Sequence, residues 1–220
     1  MVLRCPVPAD AAALLGLVRA SRGLHRPWVY PAATPAGIAG WIAGAAAAGR
    51  RSFLVCRRGD GGIVGVVNVS EIVRGHFRSA YLGYYAFAPH AGQGYMTEGL
   101  GLVLREAFTR LRLHRVEANI QPGNRRSLAL VRRLGFRREG FSPRYLEVGG
   151  RWRDHERWAL LREEWAARRA VGARGRAPGS PAGAAASRGT VSGRPRPTAA
   201  VLVRGEARGR RESPARRRVP

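Results

Sequence analysis

The sequence predicts a mixed α/β (α+β) fold, a sheet with helices on its faces. Two observations point there. Early strands are joined by a hairpin signal, Asp60-Gly61-Gly62, and later strands alternate with helices of clear period. A third observation bounds the folded region: all five Trp, six Tyr and six Phe lie within residues 1–165.

The elements follow in chain order. Met1 to Cys5 is a short apolar run and reads as a first strand. Asp10 to Arg19 carries Leu14, Leu15 and Val18 at helical spacing. Pro27 and Pro31 interrupt that pattern. Thr34-Pro35 starts a helix, a capping hydroxyl followed by proline at the first helical position, which runs to about Ala48 and closes at Gly49. Phe53 to Arg57 and the valine-rich Ile63 to Val69 flank the hairpin turn as strands. Ala80 to Ala88, dense in tyrosine, is another strand. Thr97 to Leu113 places Leu100, Val103, Leu104, Ala107, Phe108 and Leu111 on one helical stripe. Val116 to Gln121 is a strand, and Asn124 to Leu134 is a helix closed by Gly135. Tyr145 to Val148 and Arg151 to Leu161 form a last hairpin across Gly149-Gly150.

Charge is the unusual quantity. The chain of 220 residues carries 39 basic residues against 14 acidic ones, a net +25, and all the basic residues are Arg. Lysine Schiff-base chemistry and a phosphate-loop lysine are thereby excluded within this chain. Two cysteines, Cys5 and Cys56, are too few for a disulfide scaffold, and no Cys/His cluster points to a metal. No stretch reads as a leader or a membrane span, so a cytoplasmic location is expected. Residues 166–220 hold 14 Arg, two Glu and no aromatic residue, a local +12. Such a segment buries too little apolar surface to offset its ordering entropy and is expected to be a disordered tail. Its arginines attract phosphate, which suggests nonspecific RNA contact, or serve only as a solvated extension. The folded domain, residues 1–165, then carries 25 Arg against 12 acidic residues, or +13.

Two stretches carry chemistry. Phe87 to Thr97 leaves a strand and opens a helix, with Gly92 and Gly94 one residue apart. Glycines there let the backbone turn sharply and approach a ligand, and a helix start presents unpaired N–H groups. Together they suit a phosphate or pyrophosphate, although a tight turn alone explains the same pattern. The second stretch runs from Glu117 to Ser127. Strand alternation puts Glu117, Asn119 and Gln121 on one face; Pro122-Gly123 ends the strand, and Asn124 is a natural helix cap with Ser127 one turn on.

With these two stretches in this order and spacing, the sequence resembles the GNAT superfamily of acetyl-CoA-dependent N-acetyltransferases. Within it, the chain is most similar to the bacterial ribosomal-protein-alanine N-acetyltransferases. The matching segments are VRGHFRSAYLGYY (73–85), GQGYMTEGL (92–100), HRVEANIQPGNRRSLALVRRLGFRREG (114–140) and GRWRDHERWAL (150–160). The resemblance implies a mostly antiparallel twisted sheet with splayed central strands. It implies that Gly92, Gln93, Gly94, Tyr95, Met96 and Thr97 present backbone amides to the pyrophosphate of acetyl-CoA. It further implies that Phe87, Ala88 and Pro89 line the pantetheine arm, and that Asn124 and Ser127 lie near the thioester. Pro89 departs from the superfamily pattern, which has Gln or Arg there, so a charged phosphate contact is missing.

The reaction the resemblance implies is direct attack of an amine on the thioester, with no metal. The superfamily's usual acid, a tyrosine four residues before the Gly-Phe pair, is replaced by Val131. Ser127 is the subfamily's substitute. For the base, Glu117, Glu71 and Glu147 are candidates; relatives carry a Glu near position 146, where this chain has Leu146. An α-amino group, with a pKa of about 7.7–8, is roughly one-tenth neutral at pH 7, so a protein N-terminus, for instance of a ribosomal protein, needs only a weak base. Two alternatives stay open: a ribosome- or RNA-binding protein that keeps the fold without the activity, and acetylation of a small-molecule amine.

Overall fold

The computed structural model describes residues 1–174. Seven strands form one sheet in the order β1 (Val2–Arg4), β2 (Arg51–Cys56), β3 (Ile63–Val73), β4 (Ser79–Ala86), β5 (Arg115–Ile120), β7 (Trp152–Leu161), β6 (Arg137–Glu147). The neighbours pair antiparallel except β4 and β5, which run parallel. Among the described residues there are six α-helices, α1 (Ala11–Ala20), α2 (Arg22–His25), α3 (Pro35–Ala43), α4 (Tyr95–Thr109), α5 (Arg125–Leu134) and α6 (Arg162–Arg174), and two single-turn 3-10 helices, Pro8–Asp10 and Ala88–His90. The fold is therefore the expected mixed, mostly antiparallel sheet flanked by helices.

Each face of the sheet has its own core. On one, Leu100, Val103, Leu104 and Phe108 of α4 and Leu128 and Val131 of α5 pack on Val67, Leu82, Val116 and Ala118. On the other, Leu14 and Val18 of α1 and Ile38 and Ile42 of α3 pack on Leu54, Val66 and Phe87. The α4 stripe is the one its sequence period predicts. Helix α4 lies so close to β2 that a Cβ at Gly99 would sit 2.5 Å from a methyl of Val55.

Between β4 and β5 the ladder stops early. Ser79, Ala80 and Tyr81 pair with Arg115, Val116 and Glu117, and then the strands part. Beyond that rung β4 continues along β3 to Ala86, and β5 continues along β7 to Ile120. The central strands are splayed as expected.

The structure corrects several boundaries. Helix α3 ends at Ala43, because Gly44 caps it and the alanine run continues as turns to Gly49. Strand β6 begins at Arg137, well before Tyr145. It is an edge strand exposed along most of its length, so no apolar alternation marks it. Helix α2 falls between the domain's early prolines and was not anticipated. Helix α6 carries the chain past the boundary expected at 165: Trp165 packs on Phe108 with ring centroids 5.4 Å apart, and Arg169 lies 5.0 Å over the Trp165 ring. The rest of the expected disordered tail lies outside the described residues. Among the described residues no helix is long and apolar enough to cross a membrane.

One ion pair ties the first strand to the first helix. Arg4 donates through both terminal nitrogens to the Asp10 carboxylate at 2.7 Å, and Val7 N–H donates to the same group at 2.8 Å. The Arg4 bonds hold the Asp10 carboxyl below its ordinary pKa against the opposing pull of burial. A depressed folded pKa means that this stability is present above the unfolded value of about 3.9 and is lost as pH falls. Asp10→Asn should therefore lower stability at pH 7 by about 1–3 kcal/mol and narrow the gap to wild type below pH 3. Urea midpoints at the two pH values check this; an equal deficit at both contradicts it.

Candidate active site

Where β4 and β5 part, a cleft of about 960 Å³ opens. One corner is built by the β4–α4 connection. Gly92 and Gly94 have φ of 80° and 81°, conformations that suit glycine, so the doublet is used as backbone geometry requires. Helix α4 then starts at Tyr95 with no side-chain cap. Its first N–H groups and its positive dipole end are left at the cleft wall. Arg133, at the end of α5, donates to Thr97 Oγ1 at 3.2 Å and lines the same corner. The corner therefore holds a fixed cation that the sequence, with Pro89 in place of Gln or Arg, gave no reason to expect.

The middle of the cleft is built by β4 and the start of α5. Asn124 caps α5, its side-chain oxygen accepting from Ser127 N at 3.2 Å. Ser127 Oγ lies 2.6 Å from the Tyr84 hydroxyl. Tyr84 is enclosed, and burial pushes its phenol up to about 12, against a smaller opposing effect of the Ser127 bond. The phenol is thus protonated at physiological pH and can both donate and accept. The acceptors it meets belong to Ser127, Oγ at 2.6 Å and the carbonyl at a marginal 3.5 Å. Either hydroxyl of the pair can be the donor; with Tyr84 donating to Ser127 Oγ, the serine hydrogen is left free for the cleft.

The far wall belongs to the α1 and α2 face. His25 Nε2 lies 2.8 Å from the Ala86 carbonyl, and the His25 ring stands edge-on to Tyr85 at 5.1 Å. Gln121 Nε2 donates to the Trp28 carbonyl at 3.3 Å. The segment from His25 to Trp28 thereby straps the gap, tied to β4 at one end and to β5 at the other. His155 of β7 also lines the cleft, its Nδ1 2.9 Å from the Arg153 carbonyl. Burial lowers the pKa of both histidines. The lining includes Arg26, Arg125, Arg126 and Arg133, and it contains no Asp or Glu. Among the described residues no group of three or more His, Cys, Asp or Glu gathers as metal ligands.

Of the residues expected at the site, Gly92, Gly94, Tyr95, Met96, Thr97, Asn124 and Ser127 meet on this cleft. Others do not. Phe87 is fully buried in the α1/α3 core beside Tyr85 and His25. Ala88, Pro89 and Gln93 are exposed and off the lining; the Ala88 amide donates to Ser21 Oγ at 2.9 Å, and Gln93 donates back to the Pro89 carbonyl at 3.1 Å. Glu117 sits on the last paired rung, short of the gap. Arg115 Nε donates to it at 2.8 Å, and it faces a separate recess of about 250 Å³ shared with Glu71 and Tyr81. Glu147 is exposed at the end of β6. Tyr84, His25 and Arg133 are site residues that the sequence reading does not pick out. Strand parity carried a signal for Tyr84 and Asn119; nothing local marked His25 or Arg133.

A family model described as an acetyltransferase (GNAT) domain matches residues 1–137. The [ribosomal protein uS5]-alanine N-acetyltransferase of Escherichia coli is 43% identical over 103 residues, 47% of this chain and 53% of that protein. The chain thus spans about half the length of that curated relative. Mycobacterium smegmatis RimJ in complex with CoA-disulfide superimposes with a TM-score of 0.68 at 34% identity, covering 78% of this chain and 88% of that one. A spermidine N-acetyltransferase from Vibrio cholerae, in complex with CoA and spermine, gives 0.65 at 21% identity over 75% and 97%, a likeness of fold.

The Tyr84–Ser127 bond has a measurable consequence. Ser127→Ala strands a buried phenol and should destabilise the protein by about 1–3 kcal/mol. Adding Tyr84→Phe removes the orphaned hydroxyl and should return part of that loss. Urea titration of the two single variants and the double variant checks the pattern; additive losses would show that Tyr84 donates elsewhere.

Proposed function

The chain belongs to the GNAT acetyltransferase family, and from that premise we propose that it transfers an acetyl group from acetyl-CoA to a primary amine. The amine we propose is the N-terminal α-amino group of a protein, of the ribosomal-protein alanine type. The observation that carries this reading is one cleft joining an uncapped helix start, a glycine doublet and Ser127 across parted strands.

When bound, acetyl-CoA would supply a thioester whose carbonyl carbon accepts the amine lone pair; the C–N bond forms as the C–S bond breaks with its electron pair on sulfur, and the proton the nitrogen sheds passes through water to that sulfur, which leaves as the free thiol. The backbone amides at the start of α4 hold the pyrophosphate, and Arg133 adds the cation that Pro89 does not supply. Ser127 offers its free hydrogen to the departing sulfur, with Tyr84 fixing the direction of the hydroxyl. A hydroxyl does not ionise near neutrality, so this is stabilisation by hydrogen bonding rather than titration. Glu117, engaged by Arg115 away from the cleft, has no part in this scheme.

Electrostatics bears on the acceptor. A polyamine carries several ammonium groups and calls for carboxylates, and the cleft lining has none. An α-amine at the end of a peptide needs no such cluster. The +25 charge supports RNA contact during an encounter with the ribosome, because a basic enzyme is repelled by basic protein tails unless RNA mediates.

Acetyl-CoA should raise the melting temperature, and N-terminal peptides beginning with Ala or Ser should release thiol. Gly94→Arg, which fills the phosphate corner, should abolish acetyl-CoA binding; retained affinity would refute the placement. Ser127→Ala should lower kcat at least about tenfold with acetyl-CoA affinity nearly unchanged. Coenzyme binding with no turnover on any amine would favour an RNA-binding protein that has kept only the fold.

A further inference from the structure

On the sheet face that carries α1 and α2, two buried acceptor atoms have no hydrogen-bond partner: His25 Nδ1 and Asn119 Oδ1. Both residues line the cleft, and His25 is 3% exposed. An unmet buried acceptor costs about 1–3 kcal/mol, so natural structures rarely keep one without a use. Two on one wall point to a donor that arrives from outside.

The chemistry of that donor can be read from the acceptors. A carbonyl oxygen only accepts, so the His25 nitrogen 2.8 Å from the Ala86 carbonyl carries the ring hydrogen. In the neutral ring Nδ1 is then a bare lone pair. Burial keeps the ring neutral by lowering its pKa, against a smaller opposing effect of the Ala86 carbonyl. Asn119 stands on the same strand face as Gln121, whose side chain anchors the strap that carries His25. Trp28 seals that end: a Cβ on Gly123 would sit 3.1 Å from its ring.

A neutral primary amine has two hydrogens and one lone pair. Two acceptors hold the hydrogens and leave the lone pair free to attack. An ammonium has three hydrogens and a charge. Here it would meet no carboxylate on the cleft lining, and guanidiniums from Arg26, Arg125 and Arg126. We propose that His25 Nδ1 and Asn119 Oδ1 form the acceptor-amine subsite, and that the subsite takes the amine in its uncharged, nucleophilic form. This rests on the amine-acetylating reading given above and sharpens its substrate class. Amines with a pKa of about 7.7–8 are appreciably neutral at physiological pH, whereas side-chain amines near 10.4 are neutral less than about one part in a thousand.

The titratable and charged groups that face the subsite are few. Arg26 follows α2, Tyr85 comes from β4, His155 from β7, and Arg125 and Arg126 open α5. Arg157 stands opposite Asn119 across the β5–β7 ladder. The arginines keep their charge. Burial raises the Tyr85 phenol and lowers His155, so neither gains charge as pH rises from 6.5 to 8.5.

The test is a calorimetric titration of the full chain, saturated with CoA, using a tetrapeptide that begins with alanine. Two buffers of different ionisation heat count protons. At pH 6.5 about one proton should leave per peptide bound, and affinity should tighten about 20-fold at pH 8.5. Asn119→Leu, which keeps the size and removes the acceptor, should weaken the peptide at least tenfold with CoA affinity unchanged. Asn119→Asp should end the proton release, because its carboxylate holds the ammonium. Peptide binding without proton release, no peptide binding to the CoA complex, or wild-type behaviour in both variants overturns the subsite. Failure to bind CoA at all overturns instead the acetyltransferase reading on which the subsite depends.

Discussion

The parting of β4 from β5 after the Tyr81–Glu117 rung is the constraint on which the site depends. A parallel pair that continued would satisfy its own backbone groups and leave no gap. Here each strand keeps its outer partner, β3 or β7, and turns an inner edge toward the cleft. Those edges are unpaired main chain at depth, which proteins keep where a ligand or another chain can pair with them. Everything else around the gap either holds the two halves apart or closes its ends.

Closure is done by short-range contacts from distant parts of the chain. His25 ends the short helix α2 and Trp28 lies in the turn after it, and they reach Ala86 on one half and Gln121 on the other. Asn124 shapes the start of α5 so that Ser127 faces Tyr84 across the gap. The two walls differ in chemistry. Toward α4 the groups are donors: helix amides, Arg133 and the Ser127 hydroxyl. Toward α2 the unpartnered groups are uncharged acceptors, imidazole and amide oxygen, with Arg26 beside them. A cleft that gives hydrogens on one side and takes them on the other suits the acetyl-CoA and the amine proposed for it.

Much of this was legible in the residues. The α4 stripe from Leu100 to Phe108, the Thr34 cap, the Asp60-Gly61-Gly62 turn and the Asn124 cap each rest on local chemistry, and each stands in the structure; the helix itself stops at Thr109, short of Leu111. So does the Gly92–Gly94 doublet with its two positive φ angles. The misses share a cause. Strand β6 is wet on both faces, so no alternation announced it. Phe87 ends its strand beside the ligand loop but turns into the core, a choice made by Tyr85 and His25 around it. Glu117 shares a strand face with Asn119 and yet lies one rung inside the paired region, where Arg115 engages it.

The sequence by itself determined the element types, the helix caps, the charge and the backbone geometry of the loop before α4, because those depend on neighbours a few positions away. Tertiary structure alone decided which side chains meet at the gap. Tyr84 and Ser127 are 43 positions apart, and His25 and Ala86 are 61 apart. Such pairings follow from where the ladder between β4 and β5 ends, and that point is set by how two separate cores pack on opposite faces of one sheet.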